Sequence, residues 1–99
     1  MSPDNEFPVI LKFGPVRTAP GTFFNTQANG DSAIWLKVAN VTASVELRFD
    51  EDNLPFFIKN DIISCSIPKK YYSRAGEYKI YLLETSTGMT SNIVMFTVK

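Results

Sequence analysis

An all-β sandwich is the fold this sequence predicts, and three observations predict it. Apolar and polar residues alternate in short runs. Gly, Pro, Asn and Asp interrupt those runs every eight to twelve residues. No stretch carries the 3.6-residue apolar period of an amphipathic helix. Ninety-nine residues form one domain with one core, large enough to fold without metals or disulfides.

The elements follow in order. Strand A is expected over 8–13, ended by Gly14-Pro15. Residues 15–31 form a long irregular excursion with turns at Pro20-Gly21 and Asn29-Gly30-Asp31, and Thr22 to Gln27 within it are expected as a short strand. Strand B is Ala33 to Val38 and strand C is Val45 to Phe49. The polar tip Asp50-Glu51-Asp52-Asn53 turns the chain into a short strand at Phe56 to Lys59. Strand E runs from Ile62 to Ile67, where Pro68 stops it because proline cannot donate to a sheet ladder. A loop over 69–76 leads to strand F, Tyr78 to Glu84, and Thr85 to Thr90 turns into strand G, Asn92 to Val98. Residues 1–7 are polar and acidic, and are expected to be disordered or loosely attached to the domain at 8–99.

The order of several short motifs resembles a known family. Pro8-x-Ile10 with Gly14-Pro15, Val38-Ala39-Asn40-Val41, Cys65-Ser66-Ile67-Pro68, Gly76-x-Tyr78, and Ser91-Asn92 ending in Phe96-x-Val98 are similar to the IPT/TIG domains, an immunoglobulin-like group. The resemblance runs from about Pro8 to the end, although the 15–31 excursion is longer than the family's usual link. It implies an immunoglobulin-like β-sandwich of about seven strands in two antiparallel or mixed sheets. Members occur in transcription factors, cell-surface receptors, polysaccharide-processing enzymes and phage or bacterial surface proteins, so the resemblance speaks to fold and hardly to function.

Alternation assigns the core. Ile34, Leu36 and Val38 face inward, as do Val45, Leu47 and Phe49, then Ile63, Cys65 and Ile67, then Tyr78, Ile80 and Leu82, then Val94, Phe96 and Val98. A one-residue slip of strand C would bury Glu46 and Arg48, which fixes its register. Tyr78 stands where immunoglobulin-like folds place a tyrosine whose hydroxyl bonds back to the preceding loop.

The same register puts Tyr81, Leu83, Ile93 and Met95 on the outer face of strands F and G. Four large apolar groups at outward positions mark a candidate protein interface; the competing expectation is that the excursion, with Phe23 and Phe24, folds over them. Trp35 faces outward on the other sheet. Lys69, Lys70, Tyr71, Tyr72 and Arg74 interleave charge with aromatic rings and form a candidate ligand loop for carbohydrate, unless one tyrosine plugs the core.

Catalysis is not expected. The chain has no histidine, and its single Cys65 sits in an apolar strand as a core residue. No nucleophile elbow, phosphate loop or zinc spacing occurs, and no cofactor is implied. The Asp50–Asn53 tip lacks the calcium-loop pattern and reads as a soluble turn. Asn40-Val41-Thr42 matches the N-glycosylation pattern but is expected to be idle.

Four basic residues face seven acidic ones up to position 53, and six face three beyond it, for a net charge of zero. Nucleic-acid binding is therefore the weakest class. No apolar run is long enough for a transmembrane helix, and the acidic start is the opposite of a signal peptide. The expectation is a non-enzymatic structural or protein–protein interaction module of a larger surface or virion-type assembly, self-associating through the outer F–G face. The alternative is a carbohydrate-binding module using the 69–74 loop.

Overall fold

The alternating runs become strands with the faces expected of them. The computed structural model describes residues 7–99; of the loosely attached segment expected at 1–7, all but Phe7 lies outside the described residues. In chain order the strands are β1 Val9–Gly14, β2 Arg17–Thr18, β3 Ser32–Ala39, β4 Val45–Phe49, β5 Asp52–Leu54, β6 Phe57–Lys59, β7 Ile62–Ile67, β8 Gly76–Glu84, β9 Met89–Thr90 and β10 Val94–Val98. One sheet has the order β1-β3-β7-β6, which we call sheet I. Sheet II has the order β2-β10-β8-β4-β5, with β9 also paired to β8. Every pairing is antiparallel except β2 with β10, so sheet II is mixed. The fold is an all-β, immunoglobulin-like sandwich.

The core forms where the two inner faces meet. Ile34, Leu36 and Val38 of β3 and Ile63, Cys65 and Ile67 of β7 lie on one side. Val45, Leu47 and Phe49 of β4, Ile80 and Leu82 of β8, and Phe96 and Val98 of β10 lie on the other, all buried. Through this layer runs a continuous line of aromatic rings. Tyr72 meets Phe24 edge-on at 5.0 Å, Phe24 meets Phe96 at 5.3 Å, and Phe96 meets Phe49 at 6.1 Å. Phe49 then contacts Tyr71 edge-on at 4.8 Å and stacks on Tyr78 at 5.0 Å. Each such pair adds about 0.5–1.5 kcal/mol beyond simple burial.

Three expectations change. Thr22–Gln27 is not a strand. The chain turns at Pro20-Gly21, Asn25 adopts a positive φ, and Phe24 leaves the surface for the core, its N–H held by Ser32 Oγ at 3.0 Å. The excursion instead supplies β2, which runs parallel beside Thr97 and Val98. The acidic tip is shorter than expected. Only Asp50 and Glu51 turn, with Asp50 at a φ of 56°, and Asp52 already pairs with Phe49 in β5.

Strand G is also interrupted. β9 and β10 lie along one edge of β8, and between them one backbone bond persists, Ser91 N–H to Leu82 O at 2.9 Å, while Ser91 and Asn92 add side-chain bonds. Leu82 N–H donates to Ser91 Oγ at 2.8 Å. Asn92 accepts from Ile10 N–H at 2.8 Å and donates to Ile10 O at 3.0 Å, which ties sheet II to β1 across the sandwich.

Cys65 is fully buried, and burial pushes its thiol up to about 12 because the thiolate cannot be solvated there. In a thiol-reagent assay at mildly alkaline pH, Cys65 is expected to react only as the domain unfolds. Stoichiometric reaction of the native protein within seconds would contradict the packing described.

Candidate functional site

The outer face of sheet II is built from the outward positions of β4, β8 and β10. Register sets Arg48 opposite Tyr81, Glu46 opposite Leu83 and Lys79 opposite Met95. Glu46 and Arg48 pair at 3.1 Å, a surface contact worth at most about 1 kcal/mol. Ile93 stands 58% exposed because it falls in the break between β9 and β10, where no ladder draws it toward the sheet. Met95 is 39% exposed, and Tyr81 and Leu83 are half-buried.

The structure brings Tyr81 and Ile93 together in one groove of about 770 Å³, whose walls include Lys79, Thr90, Tyr71 and the Asp50–Asp52 tip. Leu83 lies farther along β8, opposite Thr90. The excursion does not cover this face. Its hydrogen bonds run to Gly14, Ala33, Tyr72 and the end of β10. Phe24 is in the core, and exposed Phe23 packs on Tyr72 and under the Lys69 ammonium at 5.7 Å.

The 69–74 loop uses its tyrosines inward. It opens with one 3₁₀ turn, Lys69–Tyr71, in which the Tyr71 and Tyr72 N–H groups donate to Pro68 O and Lys69 O. Both tyrosine rings are buried, so neither is available to stack on a sugar, while Lys69, Lys70 and Arg74 remain exposed. Tyr72 O also accepts the Gly21 N–H at 2.6 Å, locking the loop to the excursion.

The hydroxyl that bonds across to another segment is that of Tyr71, which donates to Asp52 Oδ2. This acceptor holds the Tyr71 phenol in its protonated form and pushes it up to about 12. Tyr78 makes no such bond among the described residues. Its ring is taken up by Phe49 and Tyr71, and its hydroxyl lies over Gly76, where an added Cβ would sit at 3.4 Å. The corner tyrosine expected at position 78 is thus replaced by Tyr71, seven residues earlier.

Two carboxylates of the Asp50–Asn53 tip are engaged in holding the turn. Asp50 Oδ1 accepts the Lys79 N–H at 2.8 Å, and Asp52 accepts from Tyr71. Among the described residues, no three His, Cys, Asp or Glu side chains gather as a metal-ligand set.

One polar node was not singled out in the sequence. Glu84 ends β8 on an inward position and is 6% exposed. Its carboxylate accepts from Thr42 Oγ1 at 2.5 Å, Ser86 Oγ at 2.8 Å and Ser44 Oγ. These three hydroxyls hold it down to about 2, overcoming the opposing effect of burial. The signal was present: continuing the inward alternation Tyr78, Ile80, Leu82 reaches Glu84, and an acid there needs donors, which Thr42 and Ser44 provide.

No family model matches the chain, and a search of curated proteins finds none similar to it.

Because the Glu84 carboxyl is held below its ordinary value of 4.5, its contribution is complete above about pH 4.5 and is lost as pH falls toward about 2. Glu84→Gln is expected to lower stability at neutral pH by about 1–3 kcal/mol and to flatten the acid limb of the melting-temperature profile. Wild-type and variant profiles that run parallel from neutral to acid pH would show that the node contributes nothing to acid sensitivity.

Proposed function

We propose that this domain is a non-enzymatic structural module of IPT/TIG type that self-associates through the outer face of sheet II within a larger surface or virion-type assembly. The observation that carries this reading is the pair Ile93 and Met95, large apolar side chains left exposed beside Tyr81 on a sheet face that no other described segment covers. Outward positions of a solvated sheet favour polar residues, and apolar groups clustered on one face gain from leaving water, at ~25 cal/mol per Å² before the cost of association. The groove gives the face relief, lined by apolar Tyr81 and Ile93 together with charged Lys79 and Asp50–Asp52. Such a combination suits a protein partner with an apolar anchor and a polar surround.

The carbohydrate reading of the 69–74 loop has less support, since its two tyrosine rings lie in the core.

Light scattering coupled to size-exclusion chromatography at low and high protein concentration is expected to show a concentration-dependent dimer or larger species. Met95→Lys and Tyr81→Glu should each give a monomer with an unchanged β-sheet circular dichroism spectrum. A wild-type protein that stays monomeric at high concentration, or association that survives in both variants, would rule this face out.

A further inference from the structure

The outer face of sheet I carries a repeated pair of side chains that the linear sequence does not display as a unit. Trp35-Leu36-Lys37 lies on β3 and Phe57-Ile58-Lys59 on β6, and β7 lies between them. Trp35 and Phe57 both pair with Ser64, while Lys37 and Lys59 both pair with Ile62. The register therefore forms two parallel rows across the sheet. One row is Trp35, Ser64, Phe57; the other is Lys37, Ile62, Lys59, extended by Lys12, which pairs with Lys37. In both pairs the aromatic residue precedes the lysine by two positions on the same face.

These groups are accessible. Phe57 is 84% exposed and Trp35 37% exposed. The three lysines are exposed and form no ion pair among the described residues. Lys12 and Lys37 face each other directly across the β1–β3 ladder, an arrangement that is destabilising without an anion to relieve it.

The indole lies close against the backbone at Gly14, where an added Cβ would come within 2.7–2.9 Å of the ring, so glycine is what permits this position. Beside it is a groove of about 360 Å³ whose walls include Asn25, Gln27, Trp35 and Ser64. Asn25 uses its Nδ2 on Ala33 O at 3.1 Å, and Gln27 uses its Nε2 on Asn25 O at 2.6 Å. The two amide oxygens have no hydrogen-bond partner among the described residues.

We propose that this face binds an acidic, carboxylate-bearing polysaccharide. The Cα positions of Trp35 and Phe57 are two strand spacings apart, roughly 9–10 Å, and the indole leans over Gly14, away from β7, so the two rings stand apart on the scale of a disaccharide or longer in an extended β-linked chain. A sugar stacks on each ring, its carboxylate-bearing neighbour meets the lysine row, and the Asn25–Gln27 groove accepts hydroxyl donors beside Trp35. The spacing disfavours single-stranded nucleic acid, in which stacked bases follow one another at about 3.4 Å. The lysine row disfavours a neutral glycan, which offers it no counter-charge.

Trp35 is the only tryptophan, so its emission reports on the site directly. The test is titration of the full chain with a hyaluronan octasaccharide, with a neutral β-glucan octasaccharide and a twelve-nucleotide oligo-dT run in parallel. Saturable change in Trp35 emission is expected with the acidic glycan alone. By calorimetry, Phe57→Ala and the double variant Lys37→Glu/Lys59→Glu should each weaken binding ten-fold or more. Both change exposed side chains, so their folding is checked by melting temperature. Glu77→Gln, an exposed change on β8 of the opposite sheet, should bind as wild type does. An unchanged emission at millimolar acidic glycan overturns the proposal. So does equal binding of the neutral glucan, or tighter binding of oligo-dT, which would make the face a nucleic-acid surface.

Discussion

The line of rings from Tyr72 through Phe24, Phe96 and Phe49 to Tyr71 and Tyr78 is the constraint on which the rest of the structure depends. The two sheets alone supply aliphatic residues and the rings of Phe49, Phe96 and Tyr78. Loops contribute the others: Phe24 comes from the excursion, and Tyr71 and Tyr72 come from the turn after β7. Because loop aromatics complete the core, the loops are fixed by it. Gly21 is held to Tyr72 by a backbone hydrogen bond, and the β4–β5 turn is held to the next segments by Asp52 on Tyr71 and Asp50 on Lys79. Packing therefore sets loop position here, and polar bonds refine it.

A consequence follows for the surfaces. A segment whose aromatic residue is drawn between the sheets cannot also lie across a sheet's outer face. The excursion is anchored inward by Phe24, and β2 reaches only the edge of sheet II. Among the described residues nothing covers either outer face, and the two faces differ in chemistry. Sheet II presents Ile93, Met95 and Tyr81 beside acidic turn residues, which suits an apolar protein contact. Sheet I presents two rings and a row of lysines, which suits an extended anionic chain. The proposed self-association and glycan contacts thus fall on opposite sides of one sandwich, and neither face borrows residues from the other.

How much of this was legible in the sequence depended on the range of the interaction. Strands β4 and β7 have the bounds expected of them, because alternation with Glu46 and Arg48 outward on β4 and Ser64 and Ser66 outward on β7 leaves one register open. The fate of residues 15–31 was not legible. Thr22–Gln27 has strand-forming composition, and only the distant vacancy between Tyr72 and Phe96 draws Phe24 inward. The tyrosine hydroxyl bond was assigned to Tyr78 by its place before strand F, yet Asp52 reaches Tyr71 instead, a choice made by the β4–β5 turn nineteen positions away. The paired Trp35/Lys37 and Phe57/Lys59 were invisible for the same reason. Each is an ordinary tripeptide until β7 sets both against Ser64 and Ile62. The Ile93 and Met95 face was readable because it needs only local alternation and the neighbouring of β8 and β10.

The central claim, that the loop aromatics are inside and the two sheet faces outside, is tested most directly by hydroxyl-radical footprinting of the dilute protein with residue-level mass spectrometry. The account predicts strong labelling of Trp35, Phe57, Ile93 and Met95, with Phe24, Phe49, Tyr72 and Phe96 protected to the level of the fully buried core. Strong labelling of Phe24 and Tyr72 together with protection of Trp35 or Met95 would contradict it, because the loops would then lie over the faces.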